Sequence, residues 1–208
     1  MVIYTIGGKF YEVVIYALTL GREERLKRHA IARLGIKPGD TVLEWGCGTG
    51  IALKHVIPRL EGKGRVFALD VSPKMMQVAV GRFWPTPACE LHYILRLGHT
   101  LNLPVQVDVA IASYALGVAG IADYVPVLES IAQHLREGGR FLLIDQYVPE
   151  ARNSYARLRN AAHMFVGSKL FHQDFSPGLM TAVQQVFTTV HLEFYPHLLA
   201  YAWIGVKK

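Results

Sequence analysis

"VLEWGCGTG", residues 42–50, places a short apolar run directly before three glycines at alternate positions. Glycine lets the backbone take conformations that other residues avoid and lets a ligand approach the chain closely. Open α/β sheets bind their ligands at the carboxyl ends of the strands, where such loops lie. The stretch therefore predicts a buried strand at 42–45 that ends in a ligand-binding turn.

Strand-like and helix-like segments alternate after this turn. The helical patterns are "IALKHVIPRL" (51–60), "PKMMQVAVGRF" (73–83) and "IADYVPVLESIAQHL" (121–135), and the strand patterns are "RVFALD" (65–70), "ELHYIL" (90–95), "VDVAIAS" (107–113) and "RFLLIDQY" (140–147). This alternation is typical of βαβ units and of a parallel sheet covered on both faces. A doubly wound α/β fold follows.

The two ends of the chain carry further elements. Two helices, or one helix bent at Gly21, are expected before the first strand, because the apolar residues of 10–34 recur at helical spacing. Near the other end, Ser176 and Pro177 are expected to open a helix. The runs "TTVHLEFY" (188–195) and "LLAYAWIGV" (198–206) are expected to pair as a hairpin at the edge of the sheet.

Composition limits the class of protein. The 208 residues fit one domain, and 51% hydrophobic against 18% charged residues is far from the composition of disordered chains. Cys47 and Cys89 have no metal-ligand spacing, and neither have the nine histidines, so no metal site is expected. The uncharged stretch 109–122 is shorter than the ~18 residues that cross a bilayer, and no secretory signal pattern is seen in residues 1–10, so a cytoplasmic protein is expected.

Two acidic residues suggest the ligand. Glu44, just before the glycines, can accept a hydrogen bond from a cationic group, and Asp70, at the end of the next strand, can hold both hydroxyls of a ribose. The implied ligand is an adenosine derivative. Helix capping is the alternative role for Asp70, although Ser72 suits that role better. A dinucleotide fingerprint would need a glycine where Ile51 stands, which disfavours an NAD-dependent oxidoreductase.

These residues resemble the class I S-adenosylmethionine-dependent methyltransferases. The resemblance lies in "EWGCGTG" (44–50), "ALDVSPKMM" (68–76), "VDVAIASYAL" (107–116) and "HLREGGRFLLID" (134–145). It implies a single methyltransferase domain over 1–208 with a seven-stranded, mostly parallel sheet and an antiparallel C-terminal hairpin. It also implies S-adenosylmethionine as cofactor and S-adenosylhomocysteine as product.

The resemblance assigns roles to individual residues. Glu44 would face the methionine amino group, the loop with Gly46 and Gly48 would pass under the cofactor, and Asp70 would bind the ribose. Val71 and either Met75 or Met76 would pack on the adenine, with core packing as the alternative for the methionines. His99 stands where the family often has an acid that meets the adenine amino group, and a surface loop role is its alternative. The remaining expected cofactor contacts are Cys47, Gly50, Thr100 and Ser113.

The candidate catalytic residues are tyrosines. Tyr114 follows the fourth strand, and Tyr4 and Tyr11 belong to an N-terminal helical lid (1–36), where helix packing is the alternative role. Nucleic-acid substrates are not expected, because "SYAL" (113–116) lacks the proline pair that adenine and cytosine methyltransferases carry after this strand. A lipid or another small molecule remains as the substrate.

The order of residues 10–50 more specifically resembles bacterial phospholipid N-methyltransferases and the related ubiquinone/menaquinone C-methyltransferases. The first expectation is methylation of phosphatidylethanolamine-type amines, and the second is methylation of a quinone or other small aromatic acceptor. A cofactor-binding protein without turnover is a further alternative. The basic insert 151–175 has an amphipathic pattern that predicts peripheral contact with an anionic membrane, and a lid over the cofactor is its alternative role.

Overall fold

The computed structural model describes residues 8–84, 89–95, 101–117, 124–147 and 178–208. The helices are α1 Gly8–Thr19, α2 Arg22–Arg33, α3 Leu53–Val56, α4 Pro73–Phe83, α5 Val125–His134 and α6 Gly178–Val186. The strands are β1 Thr41–Trp45, β2 Arg65–Asp70, β3 Glu90–Leu95, β4 Val107–Ser113, β5 Leu135–Gln146, β6 Phe187–Tyr195 and β7 Ala200–Lys207.

The described strands form one seven-stranded sheet in the order β3-β2-β1-β4-β5-β7-β6. The first five strands of the chain run parallel, and β7 lies antiparallel to both β5 and β6. The predicted doubly wound sheet and its antiparallel C-terminal hairpin are confirmed. The strand order reverses between β1 and β4, and open α/β sheets bind their ligands at the carboxyl ends of the strands beside such a switch point.

Apolar residues cover both faces of the sheet, as a parallel sheet requires. Neighbouring residues of β1 and β5 point to opposite sides, so Leu43 and Phe141 belong to one core and Val42 and Leu142 to the other. Helices α5 and α6 cover the first side, and α2, α3 and α4 cover the second side. The two layers fix the carboxyl edge of the sheet as a rigid base for a site.

Some element boundaries differ from the sequence-based expectation. The helix expected over 51–60 is a short α-helix followed by a 3₁₀ turn over Ile57–Leu60, because Pro58 has no N–H to donate to the continuing helix. The N-terminal segment forms two helices rather than one, because Gly21 takes a left-handed conformation with φ of 70°. Ser176 and Pro177 lie outside the described residues. None of the helices in the described ranges combines the length and the apolar character needed to cross a bilayer.

Candidate active site

The three glycines after β1 all have positive φ, each in a different environment. At Gly46 (φ 75°) an added Cβ would lie 2.4 Å from the Cβ of Ala115, so the glycine allows the loop after β4 to approach. At Gly50 (φ 80°) it would lie 3.1 Å from the ring of Phe83 in α4. At Gly48 (φ 55°) it would meet no atom within 4 Å. The loop is therefore packed at both ends and open in its centre, where a ligand can lie against the backbone.

Glu44 is a buried acid beside this opening. Its side chain is 1% exposed, and its Oε2 has no hydrogen-bond partner among the described residues. Burial raises the pKa of Glu44 to about 8, with Lys27 opposing and Asp70 adding to the rise. The hydroxyl of Ser113, at the end of the neighbouring β4, also lacks a partner within the described ranges. Buried polar groups without partners are costly, so this pair points to a polar ligand that is cationic near Glu44.

Asp70 holds the other side of the opening. Its Oδ2 accepts a hydrogen bond from the N–H of Gly48 at 2.7 Å, and its Oδ1 accepts one from the N–H of Ser72 at 2.8 Å. Ser72 caps α4 by accepting from the N–H of Met75, so the capping role belongs to Ser72. Burial raises the pKa of Asp70, while the backbone donors of Ser72 and Gly48 oppose the rise. The carboxylate therefore fixes the glycine loop at the carboxyl end of β2.

Lys27 reaches the site from α2 and was not predicted as a site residue. It is 9% exposed, its Nζ lies 2.8 Å from Glu23, and the same Nζ lies 5.4 Å from the centre of the Tyr114 ring. In sequence, Glu23 and Lys27 stand at i,i+4, a spacing that is also common in exposed helix pairs. The usable signal was the adjacent apolar face of α2, which includes Leu26 and turns the lysine toward the sheet.

The loop after β4 presents Tyr114. This residue has a positive φ of 52°, which is uncommon for a non-glycine residue, and its N–H donates to the carbonyl of Ile144. Burial, together with nearby Glu23 and Asp145, holds the pKa of Tyr114 well above its usual range. The hydroxyl is therefore protonated at neutral pH and suited to donating a hydrogen bond, and it is a poor general base.

Asp145, at the end of β5, anchors this loop. It accepts hydrogen bonds from the N–H groups of Gly117 at 3.1 Å and Gln146 at 2.8 Å. Burial raises the pKa of Asp145 to about 6, so the group is ionised at neutral pH. A Cβ at Gly117 would lie 2.9 Å from Oδ1, so only glycine leaves room for the carboxylate.

The N-terminal helix α1 lies against the glycine loop. Glu12 forms an ion pair with Arg82 of α4, and the Nε of Arg82 donates to the carbonyl of Thr49 at 3.0 Å. Gly8 lies so close that an added Cβ would be 2.8 Å from the Thr49 side chain. Tyr11 of α1 also contributes to the raised pKa of Tyr114.

The other predicted site residues divide into three groups. Val71 is half exposed beside Asp70, whereas Met75 and Cys47 are buried, and burial raises the pKa of the Cys47 thiol well above its usual range. The burial of Met75 favours core packing over contact with a ligand. The predicted residues Tyr4, His99 and Thr100, and the insert 151–175, lie outside the described residues.

Comparisons with known proteins find similar sequences among methyltransferases. Residues 42–139 match the family described as "Methyltransferase domain". The chain is 28% identical over 144 residues to a demethylmenaquinone methyltransferase of Symbiobacterium thermophilum, covering 68% of this chain and 57% of that protein. It is 31% identical over 134 residues to a 2-phytyl-1,4-naphtoquinone methyltransferase of Synechococcus elongatus, covering 64% of this chain and 57% of that protein.

A solved structure supports the fold. The "SAM dependent methyltransferase" of Aquifex aeolicus superposes with a TM-score of 0.63 at 17% identity, covering 88% of this chain and 89% of that chain. The chain spans less than 60% of the length of the two relatives above. The residues that meet at the carboxyl edge fit S-adenosylmethionine, because the open loop, the unpaired Glu44 and Asp70 match the needs of a cationic adenosine derivative. Residues 42–139 thus match a methyltransferase domain, and the chain has the fold of the class I S-adenosylmethionine-dependent methyltransferases.

Proposed function

We propose that the protein transfers a methyl group from S-adenosylmethionine to a quinone-type acceptor in its reduced, hydroxyl-bearing form. The observation that carries the methyl-transfer proposal is the buried Glu44 carboxyl, whose Oε2 has no partner among the described residues, at the start of the glycine loop that is open at Gly48. The relatives carry the acceptor proposal, since both are named as methyltransferases of naphthoquinone-type compounds. They favour the quinone alternative over phosphatidylethanolamine, which was the first expectation from sequence.

Each side chain has a defined task in this proposal. Glu44 would accept hydrogen bonds from the methionine ammonium group, and Asp70 would accept them from the ribose hydroxyls while it holds the loop through Gly48. The bound cofactor supplies a methyl group activated by a sulfonium. Helix α1, tied to the loop through Arg82, helps to exclude water from the crevice.

The acceptor would lie near the loop after β4. Tyr114 keeps its proton at neutral pH and can donate a hydrogen bond to an acceptor oxygen, which orients the ring toward the methyl group. Asp145 holds this loop through Gly117 and acts as a positioning residue. Lys27, buried beside Tyr114 and paired with Glu23, would help to stabilise an acceptor hydroxyl that enters the site already deprotonated, and the resulting oxyanion makes the adjacent ring carbon a better nucleophile.

The test is production of S-adenosylhomocysteine and of the methylated compound over a panel of acceptors. The panel contains a demethylated naphthoquinol, phosphatidylethanolamine vesicles and small amines, with Asp70→Ala as the control for cofactor dependence. The proposal predicts turnover on the naphthoquinol that Asp70→Ala reduces at least about tenfold. Turnover on the vesicles alone would replace the quinone by a phospholipid amine as the acceptor.

A further inference from the structure

The outward face of α1 is apolar. Its exposed apolar residues, together with Leu20 directly after the helix, recur at helical spacing and form a single stripe beside the exposed Lys9, here called the α1 stripe: Phe10, Val13, Tyr16, Ala17 and Leu20. The four larger side chains of the stripe are 51–66% exposed. Single exposed apolar residues are ordinary on protein surfaces, but a continuous apolar patch marks a surface that meets another body.

The stripe faces outward because the opposite face of α1 is held. Glu12 is paired with Arg82, and Gly8 lies against Thr49 of the glycine loop. Turning α1 over to bury the stripe would break both contacts. The exposed apolar face is therefore a consequence of how α1 is attached to the cofactor loop.

The outward face of α2 is basic. Arg22, Arg25 and Arg28, here called the α2 arginines, are exposed, and none of them forms an ion pair with a residue that the structure describes. The acids of the same helix are both paired, since Glu23 binds Lys27 and Glu24 binds Lys54 at 2.6 Å. Only the turn at residues 20–21, both with left-handed φ, separates α2 from α1.

We propose that the α1 stripe and the α2 arginines form one docking surface for an anionic lipid bilayer. The stripe enters the boundary between headgroups and acyl chains, and the arginines contact the lipid phosphates. Charge favours this occupant over a second copy of the chain, because two copies of a surface with exposed arginines repel each other.

This inference deepens the proposed function by naming where the acceptor comes from. An acceptor with a long hydrocarbon tail, such as the phytyl chain in the name of one relative, stays in the bilayer. Because α1 also touches the glycine loop through Gly8, docking by α1 brings the cofactor edge of the sheet to the membrane. The source of the acceptor in this inference rests on the proposed function, whereas the docking of the surface on lipid does not, since binding to lipid needs no acceptor.

A fluorescent label can test the surface directly. Cys47 and Cys89 are both buried, so a cysteine introduced on the surface can be labelled selectively. Val13→Cys carries an environment-sensitive dye on the α1 stripe, and Val190→Cys is the matched control on β6, because the two valines are 65% and 63% exposed. With vesicles of phosphatidylglycerol and phosphatidylcholine, the dye at position 13 should shift to the blue and the dye at position 190 should not.

Charge variants provide a second, independent measurement by vesicle flotation. Arg22→Gln with Arg25→Gln should weaken binding about 25-fold, since each basic residue near an anionic surface contributes about fivefold. Lys37→Gln with Lys63→Gln removes the same charge at the amino edge of the sheet and should change binding less than twofold.

Three results would overturn the proposal. The first is an equal response of the dyes at positions 13 and 190. The second is an equal effect of the arginine and lysine pairs, which would indicate attraction by net charge alone. The third is a silent dye at position 13 together with concentration-dependent dimerisation, which would show that a second copy covers the stripe. These readouts use no acceptor, so failure of methyl transfer to a quinol leaves them interpretable.

Discussion

Replacing Glu44 by glutamine should make the cofactor-free protein more stable while it weakens cofactor binding. The native pKa of Glu44 is about 8, against an ordinary value of 4.5. Below pH 4.5 the carboxyl is protonated in both the folded and the unfolded chain and contributes nothing. Between pH 4.5 and 8 the unfolded chain releases this proton and the folded chain keeps it, so stability falls by about 1.4 kcal/mol for each pH unit.

The size of the effect follows from this window. At pH 7 the 2.5 units above 4.5 correspond to at most about 3 kcal/mol, and above pH 8 the loss levels off. Glutamine has nearly the same shape and does not titrate, so Glu44→Gln removes this loss. In a chain of this length about 3 kcal/mol raises the melting temperature by about 6–12 °C.

Thermal unfolding at pH 4.5 and pH 7, followed by circular dichroism, measures the increase in melting temperature of Glu44→Gln over the wild type. The variant should match the wild type at pH 4.5 and exceed it at pH 7. In calorimetry it should bind S-adenosylhomocysteine about 10- to 100-fold more weakly, because a hydrogen bond between charged groups is replaced by a weaker one. A variant no more stable than the wild type at pH 7, or one with unchanged affinity, would refute the reasoning about Glu44.

Three further perturbations test neighbouring parts of the site. In urea unfolding, Gly46→Ala should lower the free energy of unfolding more than Gly48→Ala, because only the added Cβ at position 46 would collide with a packed atom. Gly48→Ala should instead weaken cofactor binding more than Gly46→Ala. The reverse order of either effect would contradict a loop that is open at Gly48. Arg82→Gln should increase hydrogen exchange in α1 and weaken cofactor binding several-fold, because Arg82 links Glu12 of α1 to the glycine loop. Unchanged exchange in α1 would show that Arg82 does not hold this helix to the loop. Cofactor affinity should rise with pH as Glu44 ionises, and Lys27 lowers the pKa of Glu44. In Lys27→Met this rise in affinity should therefore occur at higher pH, whereas Lys27→Arg should keep the wild-type profile.

The sheet and its ligand edge could be predicted from sequence because they depend on local patterns. The alternation of apolar strands with helical spacing predicts βαβ units, and the strands that precede Gly46 and end at Asp70 become neighbours in the sheet. The i+2 spacing of the three glycines indicated the loop. The structure adds that the three positions require glycine for different reasons: Gly46 and Gly50 lie against neighbouring side chains, whereas Gly48 lies beside open space.

Other features could not be predicted because they depend on packing between distant segments. Lys27 becomes a site residue only when α2 packs on the sheet beside Tyr114; the apolar face of α2 indicates that this side of the helix is covered but does not identify Tyr114 as the neighbour. The link from Glu12 through Arg82 to the glycine loop joins three separate segments. The apolar stripe on α1 was not predicted either, because which face of a helix is covered depends on its neighbours.

The most direct test of the account is a calorimetric titration of the full chain with S-adenosylhomocysteine at pH 7.5, with Asp70→Asn as the matched control. The account predicts one site per chain and an affinity reduced at least about tenfold by Asp70→Asn, whose amide cannot accept all the hydrogen bonds of the carboxylate. An absence of binding at millimolar concentrations, or equal affinity for the two proteins, would contradict the assignment of the cofactor to the edge between β1 and β2.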